Sequence, residues 1–329
     1  MFGAPKDIEL PQPPTDGVSC LKFAPKGSFI AAGSWDKNVR CWEVLPKQSS
    51  AVGKAMINNE AHVLCTDWSS DCTKIYVGGT DSKVKCWNLA TNQLTQVAQH
   101  GAPVKEVFWI EESQVMVTGS WDKTLKYWDM RMQTPILTVD LPERVYALDV
   151  LHPLLVVATA DRKVIIYDLN KPGTEFKRME SPLKHQTRSI ACFSDRNGFA
   201  LGSIEGRVAI QSFSEKTEET FTFKCHREND ILAYPVNSIS FAHPFGTFAT
   251  AGSDGTFNFW DKETKNRLKQ FPKCPTSISC ATFSPDATMY AYAVSYDWCK
   301  GADHVPNLPN NIHCHVVPES EIKGKGKRR

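Results

Sequence analysis

Five thiol and imidazole side chains lie near the end of the chain, and these are residue types that coordinate transition metals. They are Cys299, His304, His313, Cys314 and His315. The group contains no paired CxxC, and the segment NIHCHVV at 311–317 alternates as a strand does. Neighbouring side chains of a strand point to opposite faces, so they cannot all converge on one ion. We therefore expect no metal site and no bound cofactor.

Motifs for enzymatic chemistry are absent from the sequence. It contains no Gly-rich phosphate loop, no HExxH and no GxSxG. The formal net charge of +2 at pH 7 does not indicate nucleic-acid binding by the molecule as a whole, so any basic surface must be local. The function class that remains is a non-enzymatic binding scaffold.

A second pattern combines an acidic residue with an aromatic residue six positions later. It occurs as Asp36–Trp42, Asp81–Trp87, Asp122–Trp128, Asp161–Tyr167 and Asp254–Trp260. Two weaker copies, Glu205 with Gln211 and Asp297 with no aromatic residue, complete a series with steps of 39 to 49 residues. A carboxylate in a tight turn accepts hydrogen bonds, and a Trp further down the strand buries its ring while its N–H needs a partner.

Histidines extend two of these units into possible hydrogen-bond networks. One unit offers His100, Thr118 or Ser120, Asp122 and Trp128; another offers His62, Thr80, Asp81 and Trp87. We interpret both sets as structural networks rather than as ligand-binding groups.

Each unit also begins with an alternating run that is rich in β-branched and aromatic residues, which is typical of a strand. The runs occupy 19–25, 63–69, 104–110, 145–151, 189–195, 237–243 and 277–283. A period of about 40–45 residues with Trp and Asp near each end matches the four-stranded blade of a WD-repeat propeller. The sequence therefore predicts an all-β, seven-bladed WD-repeat β-propeller, and we assign residues 1–318 to this single domain.

The ends of the chain must close such a ring, because an open sheet edge invites aggregation. We predict that DIEL at 7–10 is the outer strand of blade 7, so that residues 1–12 form a latch. NIHCHVV at 311–317 would supply the third strand of the same blade. Residues 319–329 are expected to be a basic, disordered tail.

Cysteine usage and the start of the chain indicate a cellular setting. The eleven cysteines form no dense framework, and MFGAPKDIELPQ has no apolar core of a secretory signal. The longest apolar run, LLVVATA at 154–160, is too short to span a bilayer. We expect a reduced cytosolic or nuclear setting, with no membrane insertion and a monomeric propeller.

Several segments closely resemble the mRNA export factor family of the nuclear pore, the propeller partner of nucleoporin 98. They include VMVTGSWDKTLKYWD, AQHGAPVKEVFWI, ESPLKHQTRSIACF, GFALGSIEGRVAI, FTFKCHRE and AYAVSYDWCKG, and the likeness runs from about residue 6 to residue 301. The resemblance implies binding to a GLEBS motif, an extended peptide segment of nucleoporin 98, and a role in mRNA export. It also implies association with mRNA or single-stranded RNA and a second role at the mitotic spindle. The expected locations are the nucleus, the nuclear envelope and pore complex, the cytoplasm and the spindle.

Two tryptophans and an arginine are the candidate peptide-binding residues. In both GSWDK copies the Trp precedes the turn Asp, so Trp35 and Trp121 belong to turns rather than to the core between blades. Exposed aromatic residues of this kind dominate interface energies. The resemblance matches them to the face that grips the GLEBS peptide and matches Arg207 to the peptide's acidic residues. The alternative is that each Trp folds over its own blade.

A second candidate site follows from WDKETKNR at 260–267 and FTFKCH at 221–226. By resemblance, the residues of a nucleic-acid-binding side groove are Phe223, Lys224, Trp260, Lys262, Lys265 and Arg267. Basic side chains beside aromatic rings suit single-stranded RNA, through phosphate neutralisation and base stacking. A solvated charged loop is the alternative interpretation.

Two other function classes stay open. A related spindle-checkpoint propeller binds the same type of peptide motif and shares GSWD, and many WD propellers serve as substrate receptors of ubiquitin ligases. The stretch ADHVPNLPNNIHCHVV at 302–317 departs from the family's acidic and aromatic continuation. This departure predicts a remodelled blade 7.

Overall fold

The computed structural model describes residues 7–229, 231–301, 303 and 308–324. Within these residues, seven four-stranded antiparallel sheets account for 28 of 30 strands, and the remaining two form a small hairpin. Each of the seven alternating runs predicted from the sequence overlaps the first strand of one sheet. The predicted all-β propeller with seven blades is confirmed.

The strands follow one another blade by blade. Blades 1 to 4 contain β2 Val18–Phe23, β3 Phe29–Ser34, β4 Asn38–Leu45, β5 Ser50–Asn58; β6 Val63–Trp68, β7 Lys74–Gly79, β8 Lys83–Asn88, β9 Gln93–Gln99; β10 Val104–Ile110, β11 Val115–Ser120, β12 Thr124–Asp129, β13 Leu137–Asp140; and β14 Val145–Leu151, β15 Leu154–Thr159, β16 Lys163–Asp168, β17 Glu175–Glu180. Blades 5 to 7 contain β18 Thr187–Cys192, β19 Gly198–Ser203, β20 Arg207–Ser212, β21 Phe221–Lys224; β24 Val236–Ala242, β25 Thr247–Gly252, β26 Phe257–Asp261, β27 Asn266–Gln270; and β28 Ile278–Phe283, β29 Met289–Val294, β30 Asn311–Val316, β1 Ile8–Glu9. The hairpin is β22 Arg227–Glu228 with β23 Leu232–Ala233, and single 3-10 turns span Pro46–Gln48 and Thr217–Glu219.

The blades pack in a closed ring through their first strands, each of which contacts the first strand of the next blade, with β28 returning to β2. Seven apolar clusters fill the spaces between neighbouring blades. The approach is close: a Cβ added at Gly33 would lie 2.4 Å from a methyl carbon of Val63 in the next blade. Glycine at this position therefore permits the contact between blades 1 and 2.

Antiparallel pairing sorts the connections onto two faces. The turns between second and third strands, together with the loops that lead from one blade to the next, lie on one face, here called the upper face. The turns between first and second strands and the loops between third and fourth strands form the lower face. Any two residues in equivalent turns therefore share a face, whichever blades they belong to.

The N-terminal strand closes the ring as predicted. Ile8 and Glu9 pair with Cys314 and His313 of β30, and the N–H of Leu10 donates to the carbonyl of Ile312 at 2.9 Å. Ile8 and Leu10 are buried in the cluster between blades 7 and 1. The segment NIHCHV accordingly forms the third strand of blade 7, as expected.

The C-terminal end differs from the expected disordered tail. Residues Glu319–Ile322 form a short helix, α1, and Ile322 is buried among the side chains between blades 6 and 7. The hydroxyl of Thr247 donates to the carbonyl of Ile322 at 2.8 Å. The prediction was wrong for 319–324 because it weighed the basic composition and overlooked one apolar anchor. Residues 325–329 lie outside the described residues, as do 302 and 304–307 of the departing stretch in blade 7.

No helix in the described ranges is long and apolar enough to cross a membrane.

Deleting residues 1–12 is expected to destabilise the propeller by about 3–5 kcal/mol, because the burial of two aliphatic side chains is lost. The deletion also exposes the edge of β30. Urea unfolding should be compared with that of a variant lacking only residues 1–6, so that the difference isolates the described latch. Equal unfolding midpoints for the two variants would rule out a stabilising latch.

Candidate functional site

A buried histidine organises the upper end of blade 3. His100 Nδ1 lies 2.9 Å from Asp122 Oδ2, and its Nε2 lies 2.7 Å from the hydroxyl of Thr118, which also accepts the indole N–H of Trp128 at 2.9 Å. Burial opposes ionisation of Asp122, but hydrogen bonds from His100 and Thr124 outweigh it and hold the pKa of that carboxyl well below its ordinary value. The predicted structural network of this blade is therefore present, with Thr118 rather than Ser120 as its hydroxyl.

The equivalent network predicted for blade 2 was wrong. His62 Nδ1 instead lies 2.5 Å from the carbonyl of Trp35, and the indole N–H of Trp87 donates to Asn92 Oδ1 at 2.9 Å. The position four residues before the turn Asp is Thr118 in blade 3 but Val77 in blade 2, and a valine offers no hydroxyl. Without a hydroxyl at this position, neither His62 nor the Trp87 indole has the central hydrogen-bond partner that Thr118 provides in blade 3.

Blade 6 contains the full network that the sequence reasoning missed. His226 lies 2.8 Å from Asp254 through Nδ1 and 2.8 Å from the Thr250 hydroxyl through Nε2, and Trp260 donates to the same hydroxyl at 2.9 Å. The strands β22 and β23 lie between His226 and Asp254 and lengthen their separation in sequence to 28 residues, compared with 22 between His100 and Asp122. The signal that could have found the network is the Thr four residues before the Asp, shared with blade 3.

Trp35 and Trp121 occupy equivalent turns and so lie on the upper face. Trp35 is 36% exposed, and its ring centroid lies 5.2 Å from that of His62, in the loop that enters blade 2. It therefore does not simply fold over its own blade. Trp121 is half-buried, and its indole N–H is enclosed without a hydrogen-bond partner.

Arg207 lies on the same face, at the start of β20 in blade 5. Its Nε is 3.6 Å from Glu205 Oε1, and another oxygen of Glu205 is 3.5 Å from His185 Nε2. A carboxylate that approaches Arg207 must therefore compete with Glu205. The three candidate residues stand on blades 1, 3 and 5, so they share a face without forming one pocket. This arrangement suits an extended ligand rather than a compact one.

Further basic residues lie on the upper face near these positions, and the sequence reasoning did not select them. Lys123 and Arg162 directly follow the turn Asp of blades 3 and 4, and Arg144 precedes the first strand of blade 4. Each is partly exposed, and Lys123 and Arg144 share one acidic partner, Glu143. The repeated Asp followed by Lys or Arg was the available signal.

Three of the six residues predicted to bind RNA come together at the outer side of blades 5 and 6. The ring of Phe223 lies 4.8 Å from that of Trp260, and the guanidinium of Arg267 lies 5.9 Å from the Trp260 ring. Trp260 also packs against the core between these blades. Its ring is thus engaged within the protein, in keeping with its structural place in blade 6.

Two others, Lys262 and Lys265, line a cleft of about 420 Å³ on the lower face between blades 5 and 6. Lys262 is only 12% exposed and pairs with Asp195 at 3.3 Å and Glu263 at 2.6 Å. Burial opposes its charge, but these carboxylates outweigh burial and raise the pKa of Lys262. Lys265 donates to the carbonyl of Glu218 at 2.7 Å.

The sixth residue, Lys224, lies apart from the cleft. It ends β21 opposite Arg207, which places it toward the upper face. The predicted groove is therefore divided into an aromatic cluster with one arginine, a cleft with mixed charges, and a lysine at the opposite end of the strand.

Comparison with known proteins agrees with this architecture. The family model described as "WD domain, G-beta repeat" matches residues 9–43, 54–88, 91–129 and 217–261. A solved structure, "Structure of U3-55K", superposes with a TM-score of 0.79 over 94% of this chain and 98% of that chain, at 17% identity. That likeness concerns the fold alone.

Curated relatives are far more similar in sequence. "Poly(A)+ RNA export protein" of Schizosaccharomyces pombe is 49% identical, covering 98% of this chain and 94% of its own length. "Protein RAE1" of Arabidopsis thaliana is 47% identical over 98% of this chain and 97% of its own. "mRNA export factor GLE2" of Chaetomium thermophilum is 45% identical over 96% and 92%, respectively.

Proposed function

The chain belongs to the family of WD40-repeat mRNA export factors, and on that basis we propose that it is a non-enzymatic scaffold in the export of mRNA from the nucleus. Its place of action is the nuclear pore, and its partner there is the GLEBS segment of nucleoporin 98. The observation that carries this proposal is the placement of Trp35, Trp121 and Arg207 on one face and on alternate blades.

An extended peptide fits this surface better than a folded domain does. Two aromatic side chains offer apolar contact area, and the basic residues near Trp121 and Arg207 favour acidic side chains of the ligand. Such a ligand would cross several blades instead of filling one cavity. A GLEBS segment, with its acidic residues and extended form, has this chemistry.

Affinity capture of the tagged protein from cells tests the function class. We expect nucleoporin 98 and poly(A) RNA to be enriched from the nuclear envelope fraction, and nucleoporin 98 to be lost when Trp35 and Trp121 are both replaced by Ala. Recovery of checkpoint kinases without nucleoporin 98 would favour the spindle-checkpoint alternative. Recovery of ubiquitin-ligase subunits instead would favour the substrate-receptor alternative. The same capture from mitotic cells tests the proposed second role at the spindle.

RNA binding at the side of blades 5 and 6 is a second proposal, favoured by one observation: Lys265 and Arg267 each lie over an aromatic ring, at 4.8 Å and 5.9 Å. Lys265 lies over the ring of Phe221 and Arg267 over the ring of Trp260, and such pairs combine positive charge with an aromatic surface on which a base can stack. Because Lys262 already has two carboxylate partners, Lys265 and Arg267 should contribute most to the interaction.

Replacing Lys262, Lys265 and Arg267 together by Glu is expected to weaken binding of single-stranded RNA and to flatten its salt dependence. Two effective phosphate contacts correspond to a change of about 1.4 in the slope of log K against log salt. Fluorescence anisotropy with an oligo(A) probe, over a series of salt concentrations, measures this slope. Glu replacements of Lys171 and Lys177, both exposed on blade 4, provide a charge-changed control. An unaltered slope in the triple variant would show that these residues form a solvated charged loop that does not contact RNA.

A further inference from the structure

His315 lies where the two ends of the chain meet. It belongs to β30, and its Nδ1 is 2.7 Å from Oδ1 of Asp7, which directly precedes the N-terminal strand. Its Nε2 is 2.9 Å from Oε2 of Glu321 in the C-terminal helix. The imidazole thus bridges a carboxylate from each end of the chain, at the edge that closes the ring.

The number of hydrogen bonds in this bridge depends on whether the imidazole ring is protonated. An ionised carboxylate only accepts hydrogen bonds, and a neutral imidazole has one N–H to donate. Both contacts are hydrogen bonds only when the ring carries two protons. Loss of one proton leaves a ring nitrogen lone pair facing a carboxylate oxygen at hydrogen-bond distance, which is repulsive.

The surrounding groups fix both carboxylates in place. Asp7 accepts a second hydrogen bond from the Tyr292 hydroxyl of β29 at 2.6 Å, and Glu321 accepts one from Lys269 of β27 at 3.0 Å. The ring of Phe271 packs edge-on at 4.9 Å from the His315 ring. The other titratable groups close to this bridge are His313 and Cys314 on the same strand and Cys274 after β27.

We propose that His315 is a proton-operated clasp: the imidazolium ties the N-terminal strand and the C-terminal helix to blade 7, and deprotonation loosens the N-terminal strand. The strand depends on such end contacts because only two of its residues pair with β30. Besides the Leu10 N–H and the Tyr292 hydroxyl bond to Asp7, its attachments include the buried side chains of Ile8 and Leu10. The carbonyl of Pro11 also accepts the indole N–H of Trp42 at 2.7 Å.

The direction of the pH effect follows from the charges. Burial opposes protonation of His315, but the hydrogen bonds to Asp7 and Glu321 outweigh it and raise the pKa of the ring. Burial likewise opposes ionisation of Asp7, and its hydrogen bonds to His315 and Tyr292 reverse this and lower the pKa of that carboxyl. The contribution of His315 is complete below its unfolded pKa, about 6.5, and is lost as the pH rises through the higher folded value. The contribution of Asp7 is present above its unfolded pKa, about 3.9, and is lost as the pH falls through the lower folded value.

Hydrogen exchange of the Leu10 amide, which donates to Ile312, reports the opening of the strand directly. After correction for the intrinsic exchange rate, we expect its protection to fall on going from pH 6 to pH 8.5, by about tenfold for each unit by which the pKa of His315 with the strand closed exceeds its pKa with the strand open. The variant His315→Gln should show low protection that does not change over this range. His185→Gln, at a histidine on the upper face, serves as the matched control and should keep the wild-type profile.

Glu321→Gln provides a second variant that does not remove the histidine. An amide can donate to the unprotonated Nε2, so the neutral ring can bond to both neighbours and the strand should stay protected at pH 8.5. Wild-type protection that is constant between pH 6 and 8.5 would overturn the clasp. So would an NMR titration that places the pKa of His315 below 6.5 in the folded protein.

Discussion

Replacing Trp35 or Trp121 with Ala is expected to weaken the binding of a GLEBS peptide by about 2 kcal/mol or more, roughly thirtyfold in Kd. Both side chains belong to turns on the upper face, outside the apolar clusters between blades. The core tryptophans of the same blades, Trp42 and Trp128, are untouched, so the variants should stay folded. Calorimetric titration of the peptide into each purified variant measures the loss.

Phe176→Ala is the matched control for this experiment, since Phe176 is 64% exposed on the outer strand of blade 4 and not on the upper face. Its peptide affinity should equal that of the wild type. Wild-type affinity in both Trp variants would end the proposal that these residues anchor a peptide. It would leave the propeller and its family membership unaffected.

The variant Arg207→Ala distinguishes between two possible environments of the peptide carboxylate, one desolvated and one in water. Arg207→Ala should cost as much as a Trp variant if the ion pair is desolvated, and well under 1 kcal/mol if it stays in water. Because Glu205 competes for the guanidinium, Glu205→Gln should change affinity in the opposite direction and tighten binding of an acidic peptide. Tightening in this variant together with loss in Arg207→Ala would locate the carboxylate at this residue.

The fold could be predicted from the sequence because each blade repeats the same pattern of strand-forming residues and turns. Blade 5 shows that the Asp and the aromatic residue are not essential for a blade to form: Gln211 occupies the aromatic position and still pairs with Phe199 in the sheet. β19 is buried along its whole length and β20 at three consecutive central positions, and this burial suffices to form the blade. The closure by Ile8 and Glu9 could be predicted for a similar reason, since an unpaired edge had to be covered.

The candidate sites could be predicted less well, because they depend on contacts that are distant in sequence. Lys262 reads as a free cation in its own loop, yet Asp195, 67 residues earlier, supplies a partner across the cleft. His62 reads as the counterpart of His100, but no hydroxyl stands at Val77 to receive it. Local spacing identifies which residues enter a loop, and only the packed ring decides which charges remain available.

The second large effect is expected in stability. Replacing His100 with Ala leaves the ionised Asp122 without its histidine partner and removes one hydrogen bond of the Thr118 hydroxyl, beside the cavity left by the ring. We expect a loss of about 3 kcal/mol in the free energy of unfolding, as for other broken buried pairs.

His62→Ala is the control for this prediction, because the partly exposed His62 ring bonds to the Trp35 carbonyl and packs beside the Trp35 ring, and its loss should cost under about 1 kcal/mol. His226→Ala should match His100→Ala, since the histidine of blade 6 likewise bonds to an Asp through Nδ1 and to a Thr hydroxyl through Nε2. Urea unfolding at pH 7 measures the stability of all three variants.

The lowered pKa of Asp122 means that the network stabilises the folded protein above the ordinary pKa of an aspartate, about 3.9, and that this stabilisation is lost as the pH falls through the folded pKa. The difference in unfolding free energy between His100→Ala and His62→Ala should therefore become smaller in acid. Equal stabilities of these two variants at pH 7 would show that the network does not stabilise the blade.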